Sequence, residues 1–391
     1  MSLINDAILE KLNSLIVVVN PVGKVEYVSP SVKRILGFEP THLLGNAWWD
    51  LTFMDKVEGL ANRDLICQQI KQDSMIETVP QERLLKTATG GERWVLWNTS
   101  KGPDNRLVGI GHDITDRKKV ELKLIEKNTE LAQQNKDILD SIQYASRIQE
   151  ALLPDVKKIK NAFQDAFVYY QPKDVVSGDF YFFFERGNKT FVAGIDCTGH
   201  GVPGALMSFI ANSLFKEVIV KRGIEEPSEI LYALDEELKL VLQKKENQIT
   251  SSDGMDVAMT VFDFENQVFS YSGAFRPAIL IRHNELIEFA PNRFPIGQYG
   301  DVRKKFTTQS ITIQPNDTVY LFSDGYIDQF GGREESTGKS KKFNKRQFKE
   351  LLLLVQDMEI EEQEAYLQYV FNNWKQDEPQ LDDILVIGIK I

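Results

Sequence analysis

Two aspartates beside short apolar runs constrain this chain more than any other feature. They lie within Ser177–Gly204, SGDFYFFFERGNKTFVAGIDCTGHGVPG. Phe191, Val192, Ala193 and Ile195 form an apolar run too short for a helix, so FVAGID predicts a buried strand. Asp196 then stands where the strand ends, and Gly199, Gly201 and Gly204 let the backbone turn closely after it. Beyond Pro203 the apolar residues of ALMSFIANSLFKEVI fall at helical spacing. A carboxylate fixed at a strand end beside such a turn suits a hard cation. It equally suits a cap on the turn or the helix, and these residues alone leave both readings open.

The 391 residues allow two or three domains, each with its own core. A formal net charge of −11 weighs against nucleic acid as the main partner, because such binding needs clustered cations. Two cysteines, Cys67 and Cys197, are too few for a disulfide framework and suit a reducing compartment. The opening MSLINDAILEKLNS lacks the pattern of a signal peptide, and runs such as Leu351–Val355 are too short to cross a bilayer. The expectation is a cytoplasmic protein with no membrane insertion.

The first region ends near Arg117. LIVVV and KVEYV flank Asn20-Pro21-Val22-Gly23 and predict a hairpin. A helical stretch over Ser31–Ile70, broken at Pro40 and Gly45, precedes three strand-like runs at Gln81–Thr87, Glu92–Thr99 and Arg106–Ile114. That order predicts an α+β module with one covered antiparallel sheet. The stretches SLIVVVNPVGKVEYVSPSVKRILGFEPTHLLGN and LVGIGHDITDRKKVE resemble a PAS sensor domain. The resemblance implies a sensor fold and names no ligand. Cys67, in LICQQI, does not match the photoactive flavin-binding version, and the central helical region after Trp49 has no histidine to serve as a haem ligand. Trp48 and Trp49 are read as core aromatics, with a cavity lining as the alternative.

From Arg117 to Leu153 there is no proline or glycine. Leu124, Leu131, Ile138, Ala145 and Leu152 recur every seven residues, which predicts a coiled-coil seam. Asn128 and Asn135 fall on the other row, where buried asparagines fix the register of a dimer. A single amphipathic helix packed on a domain is the alternative. The apolar surplus in SIQYASRIQEALLP points to contact with the C-terminal region.

The third region carries strand-like segments at Ala166–Tyr170, Asp179–Phe184, Thr190–Ile195, Val257–Phe264, Val268–Ser272, Ala278–Arg282, Thr318–Phe322 and Ile384–Ile389. Helical patterns cover Ala205–Lys221, Pro227–Lys244 and Lys345–Val355. Strands with helices in blocks predict paired sheets with helices outside. Asp179, Asp196, Asp324 and Asp382 each adjoin a predicted central strand. If they converge, they repel unless a cation sits among them. With histidine and cysteine scarce here, that ion would be Mg2+ or Mn2+.

PKDVVSGDFYFF, GIDCTGHGVPGALMS, YLFSDGYIDQ and LDDILVIGI, in that order, resemble the metal-dependent PPM phosphatases of the SpoIIE/RsbU type. The resemblance implies an α-β-β-α sandwich and a protein serine/threonine phosphatase with two Mn2+ or Mg2+ ions. Asp179, Asp196, Asp324, Asp382 and the Cys197 carbonyl would be ligands, with Asp383 an alternative and Asp196 and Asp324 central to catalysis. Asp256 and Asp328 are read as structural or supporting groups. Phe275 stands where relatives carry asparagine or histidine, and Leu385 where they carry Thr or Ser. No aspartate matches a third metal position. The phosphate-clamping arginine has no clear match, leaving Lys173 or Arg276 as substitutes or as solvated cations.

None of the four histidines lies in the helical linker, so a histidine kinase lacks its phosphoacceptor. Pro203 stands six residues after Cys197, where a cysteine phosphatase needs arginine. His200 is a proton donor or, more simply, a turn-stabilising residue. The basic residues Lys339, Lys341, Lys342, Lys345 and Arg346 form either a docking loop or a solvated one. The expected architecture is α+β and multidomain: PAS 1–117, coiled-coil linker 118–154, phosphatase 155–391. The expected partners are a second copy of the chain and a phosphorylated regulatory protein, such as an anti-sigma-factor antagonist. A non-catalytic dimeric scaffold is the alternative.

Overall fold

A computed structural model of the protein describes residues 11, 14–71, 79–242, 253–297, 304–333 and 339–391. Two compact units divide after Asn135, within the helix Thr115–Leu152 rather than at either of its ends.

The first unit has strands β1 (Ser14–Val19), β2 (Val25–Val28), β3 (Gln81–Lys86), β4 (Glu92–Lys101) and β5 (Leu107–Asp113). They form one antiparallel sheet in the order β2-β1-β5-β4-β3. Leu15, Val17 and Val19 alternate along β1 and pack under the helices Ser31–Leu36, Ala47–Leu51 and Lys56–Lys71. The helical stretch divides because Gly37 adopts the left-handed conformation that ends the first helix, and Pro40 opens a 3-10 turn. Trp49 donates its indole N–H to the Gly23 carbonyl (2.9 Å), and Trp48 meets Trp97 edge-on. Both tryptophans are core residues that also edge a cavity of about 70 Å3.

In the second unit, β6 (Asp165–Gln171), β7 (Asp179–Arg186), β8 (Lys189–Cys197), β9 (Met255–Asp263), β10 (Val268–Ala274), β11 (Ala278–Arg282), β12 (Glu285–Phe289), β13 (Gln309–Thr312), β14 (Thr318–Phe322) and β17 (Ile384–Lys390) build two sheets. The orders are β13-β10-β9-β8-β7 and β12-β11-β14-β17-β6. A small hairpin of β15 (Phe330–Arg333) and β16 (Ser340–Lys342) stands apart.

Both faces of the central strands are buried, which is why they read as unbroken apolar runs. On β8, Phe191, Ala193, Ile195 and Cys197 pack with the helices Gly201–Phe215 and Pro227–Leu242. Val192 faces the other way, into a core shared with Val319, Leu321, Leu385 and Ile387 of the second sheet. On the far side, Tyr320, Phe322, Ile384 and Val386 pack with the helices Lys345–Leu354 and Ile360–Lys375. The result is an α-β-β-α sandwich, in which each fully buried Phe, Ile or Leu contributes about 1.5–3 kcal/mol.

Gly201–Lys221 is long and apolar enough, by length and composition, to cross a membrane. It is a core helix here, with Ala205, Ala211, Phe215, Val218 and Ile219 buried on the sheet. It ends in a π-helical segment at Lys216–Lys221. The predicted end of the next helix at Lys244 lies outside the described residues; the helix is described to Leu242.

Candidate active site

The site grows from strand register. Asp179 opens β7 directly opposite Asp196 on β8, and Asp196 lies directly opposite Asp256 on β9. Because side chains alternate along a strand, partners in register share a face. Tyr181, Val192, Ala258 and Phe262, at even spacing from these aspartates, point into the inter-sheet core. The three carboxylates therefore form a row at the edge of that core. Across the gap, Asp324 follows β14 and Asp382 precedes β17. Asp196, Asp256, Asp324 and Asp382 wall one cavity of about 220 Å3, together with Cys197, Thr198, Gly199, His200 and Arg276.

Glycines permit the closest approaches. A Cβ on Gly325 would lie 1.9 Å from the Asp383 carbonyl oxygen, so only glycine lets Asp324 sit against Asp382. A Cβ on Gly204 would lie 2.1 Å from the Gly199 carbonyl oxygen, so the turn after Asp196 closes on the helix only through glycine.

Burial in this row disfavours the charged carboxylates, and like charges nearby add to it. Burial, opposed by Arg276, raises the Asp196 carboxyl to about 7 and the Asp256 carboxyl to about 6. Burial and the Asp196 charge push Asp179 well above the usual range. Burial also raises the Asp382 carboxyl and the Cys197 thiol. Cys197 therefore keeps its proton, with its side chain in the helix-side core.

Arg276 answers the repulsion. Its Nη2 donates to Asp196 and to Asp324 (2.8 Å) and lies 3.3 Å from Asp256. Among the described residues, no three histidine, cysteine or acidic side chains close on a common point as an ion cage, since the guanidinium stands between the carboxylates. The donor set nonetheless fits an oxygen-loving cation. It is nearly all carboxylate, and Asp179 Oδ2 is buried without a hydrogen-bond partner, an orphan that a cation would satisfy.

The remaining predicted residues separate. Asp383 is buried, and its two carboxylate oxygens accept from the backbone amides of Lys173 (2.7 Å) and Gly178 (2.8 Å), bolting the loop before β7 to β17. Asp328 pairs with Lys342 at 2.9 Å, away from the cavity wall. His200 Nε2 lies 3.0 Å from the Lys173 ammonium, and Nδ1 lies 2.8 Å from Asp174. An ammonium only donates, so Nε2 accepts and Nδ1–H donates to Asp174. Nε2 then has no proton to give, and the histidine braces the turn. Lys341 lies over Trp374 and Arg346 pairs with Glu350, so part of the basic loop is already engaged.

Gln149, near the end of the long helix, carries no sequence signature of a site residue. It is buried, donates Nε2–H to the Ser177 carbonyl (2.6 Å) and to Ser208 Oγ (2.9 Å), and accepts from Ser177 N (3.0 Å). Ser177 Oγ in turn accepts from the Asp179 amide (3.0 Å). The helix thus holds the backbone two residues before Asp179, and Leu153 continues the contact into the core. Gln149→Ala leaves the Ser177 amide and carbonyl unpaired. We expect it to cost about 1–3 kcal/mol of stability, as unpaired buried backbone groups do; a parental denaturant melt would exclude the role.

The stage II sporulation protein E (SpoIIE) family model matches residues 186–391, and a PAS-domain model matches residues 13–116. No curated protein matches the chain. Among solved structures, the SiaA-PP2C domain of Pseudomonas aeruginosa is 28% identical with a TM-score of 0.58, covering 66% of this chain and 98% of that one. The SpoIIE phosphatase domain of Bacillus subtilis, with a fragment of its regulatory domain, is 16% identical with a TM-score of 0.44, over 57% of this chain and 61% of that one. The RsbU and RsbW domains of a Mycobacterium tuberculosis protein are 19% identical with a TM-score of 0.45, over 58% and 59%. The chain belongs to the SpoIIE family, a PAS domain followed by a long helix and a PP2C-type protein phosphatase domain.

Proposed function

We propose that this is a signal-regulated, cytoplasmic protein serine/threonine phosphatase that hydrolyses a phosphomonoester on a regulatory protein, such as an anti-sigma-factor antagonist. One observation carries the reading: Asp196 and Asp256, in register with each other and with Asp179, face Asp324 and Asp382 across one cavity.

Asp179, Asp196, Asp324, Asp382 and the Cys197 carbonyl would hold Mn2+ or Mg2+, with two ions expected. Bound there, the metal supplies a Lewis acid that acidifies a water and neutralises charge on phosphoryl oxygens. Asp196 lies between Asp179 in register and Asp324 across the cavity, so it would be the central residue of the set that holds the metal. Asp383 holds the Lys173 amide, which keeps Lys173 beside the turn that carries His200. Lys173 and Arg276 are the cations available to meet a phosphate. The test is release of phosphate from a phosphoserine peptide against a phosphotyrosine peptide. Manganese-dependent release from the first alone is expected; equal release from both would remove the serine/threonine assignment.

The non-catalytic scaffold draws support from Arg276, because a guanidinium can neutralise these carboxylates without any ion. The same assay separates the two readings, since a scaffold releases no phosphate.

The partner expected at the helix is a second copy of the chain. Leu124, Leu131 and Ile138 are each more than half exposed along Thr115–Leu152, as a seam that pairs with a copy requires. Leu131→Lys with Ile138→Lys puts charge into that seam and should give monomers by light scattering. A persisting dimer would place the interface elsewhere.

A further inference from the structure

Arg276 is held by two unequal devices, a rigid backbone and a side chain that grips through one nitrogen. Phe275 has φ +55°, a conformation costly for an aromatic residue. Arg276 N donates to the Ala274 carbonyl (2.7 Å) across it, closing a three-residue turn of a rare kind. Phe275 N donates to the Asn292 carbonyl (2.9 Å), Tyr271 OH donates to the Arg276 carbonyl (2.5 Å), and Phe275 bridges Val257 beside Asp256. The strained turn sets the aim of the side chain, delivering the guanidinium to the row of carboxylates.

The grip of the side chain is different. All three carboxylates are reached through the single nitrogen Nη2, while Nε is buried with no partner. Arg282 in the same unit shows the tighter alternative, with Nε on Asp317 Oδ1 (2.8 Å) and Nη2 on Asp317 Oδ2 (2.7 Å). A two-point fork of that kind is the strong geometry for a guanidinium. Arg276 forgoes it, and the atoms it touches, Asp196 Oδ2 and Asp324 Oδ2, belong to residues assigned above as ligands.

We infer that Arg276 is a resident counter-cation that a divalent ion must displace from Asp196 and Asp324, so that loading of the site is an exchange of one cation for another. This inference rests on the metal-dependent reading above. Arg276 keeps the acidic row compatible with a folded core before loading, and it lowers the apparent affinity for metal because its charge occupies the same oxygens. Its single-nitrogen grip and unpartnered Nε make it displaceable, and its fixed turn makes it return. Among the described residues no other cation contacts these carboxylates in that way, the Lys173 ammonium lying instead on His200.

The test is calorimetric titration of MnCl2 into the full chain and into Arg276→Met, with melting curves in chelator and in Mn2+. Arg276→Met should bind Mn2+ more tightly by on the order of tenfold or more, because a positive charge a few ångströms from the ion has been removed. It should also melt lower than the parent chain in chelator, where the carboxylates stand uncompensated, and gain more from added Mn2+. Equal or weaker Mn2+ binding by Arg276→Met overturns the exchange while leaving the metal site intact. Binding by neither protein overturns the metal-dependent reading along with it. If Arg276→Met shows no cooperative melt, Arg276→Lys decides: its shorter point charge should give tighter binding than the parent, and unchanged affinity contradicts the proposal.

Discussion

Asp196→Ala and Asp324→Ala, each in the full chain, are expected to lower phosphate release by more than about a hundredfold. Loss of a group that merely supports a metal ligand commonly costs ten- to hundredfold, and these two carboxylates are ligands themselves in this account. Asp196 has Asp179 and Asp256 on either side of it in register, and Asp324 closes the cavity from the other sheet. Both variants should keep a cooperative melt. Neither side chain fills the apolar core, and removing one carboxylate lowers the repulsion among those that remain. Turnover within a few-fold of the parent, in either variant, would remove that residue from the mechanism.

Gly325→Ala should be destructive in a different way. The added methyl would lie 1.9 Å from the Asp383 carbonyl oxygen and 3.4 Å from the Asp382 carbonyl carbon, and neither backbone atom can swing aside. The strand start and the short helix Gly325–Asp328 must separate, with Tyr326 and Ile327 pulled from the core they share with Phe348 and Phe371. Overpacking of this kind costs about 1–3 kcal/mol. The separation also draws Asp324 away from Asp382, so activity should fall further than stability does. The check is a denaturant melt beside a rate measurement. A variant with parental stability and rate would show that the two aspartates need no such close approach.

Much of this was readable in the chain. The central strands showed as apolar runs because helices cover one face and the other sheet covers the second; Phe191 and Val192 point opposite ways and are both buried. The acidic strand ends at Asp179, Asp196, Asp324 and Asp382 were visible for the same reason, as charges abutting sequence that cannot leave the core. The edge strands Glu285–Phe289 and Gln309–Thr312 were not, since exposed residues interrupt them. The helix Ile360–Lys375 leaves little trace in the sequence, because Ile360, Leu367 and Phe371 are thinly spread among acidic and amide residues.

Within the site, the family resemblance implies a supporting role for Asp256, and strand register sets it beside Asp196. The signal was present in DGMDVAMTVF, where Asp256 abuts an apolar run as the other site aspartates do. Asp383, next to Asp382 in sequence, faces the loop amides instead of the cavity wall, a distinction that only alternation along the entry to β17 could supply. Arg276 lies 80 residues from Asp196 and 48 from Asp324, and its role depends on a backbone turn at Phe275 that no local pattern announces.

The measurement closest to the central claim is the rate of phosphate release from a phosphoserine peptide by the full chain, tracked through one cycle of chelation and Mn2+ add-back. The account predicts release with Mn2+, loss of it in chelator, and recovery on add-back, with Asp196→Ala inactive throughout. Release that persists undiminished in chelator, or an Asp196→Ala variant that recovers with the parent, would contradict a metal-dependent phosphatase built on this row of carboxylates.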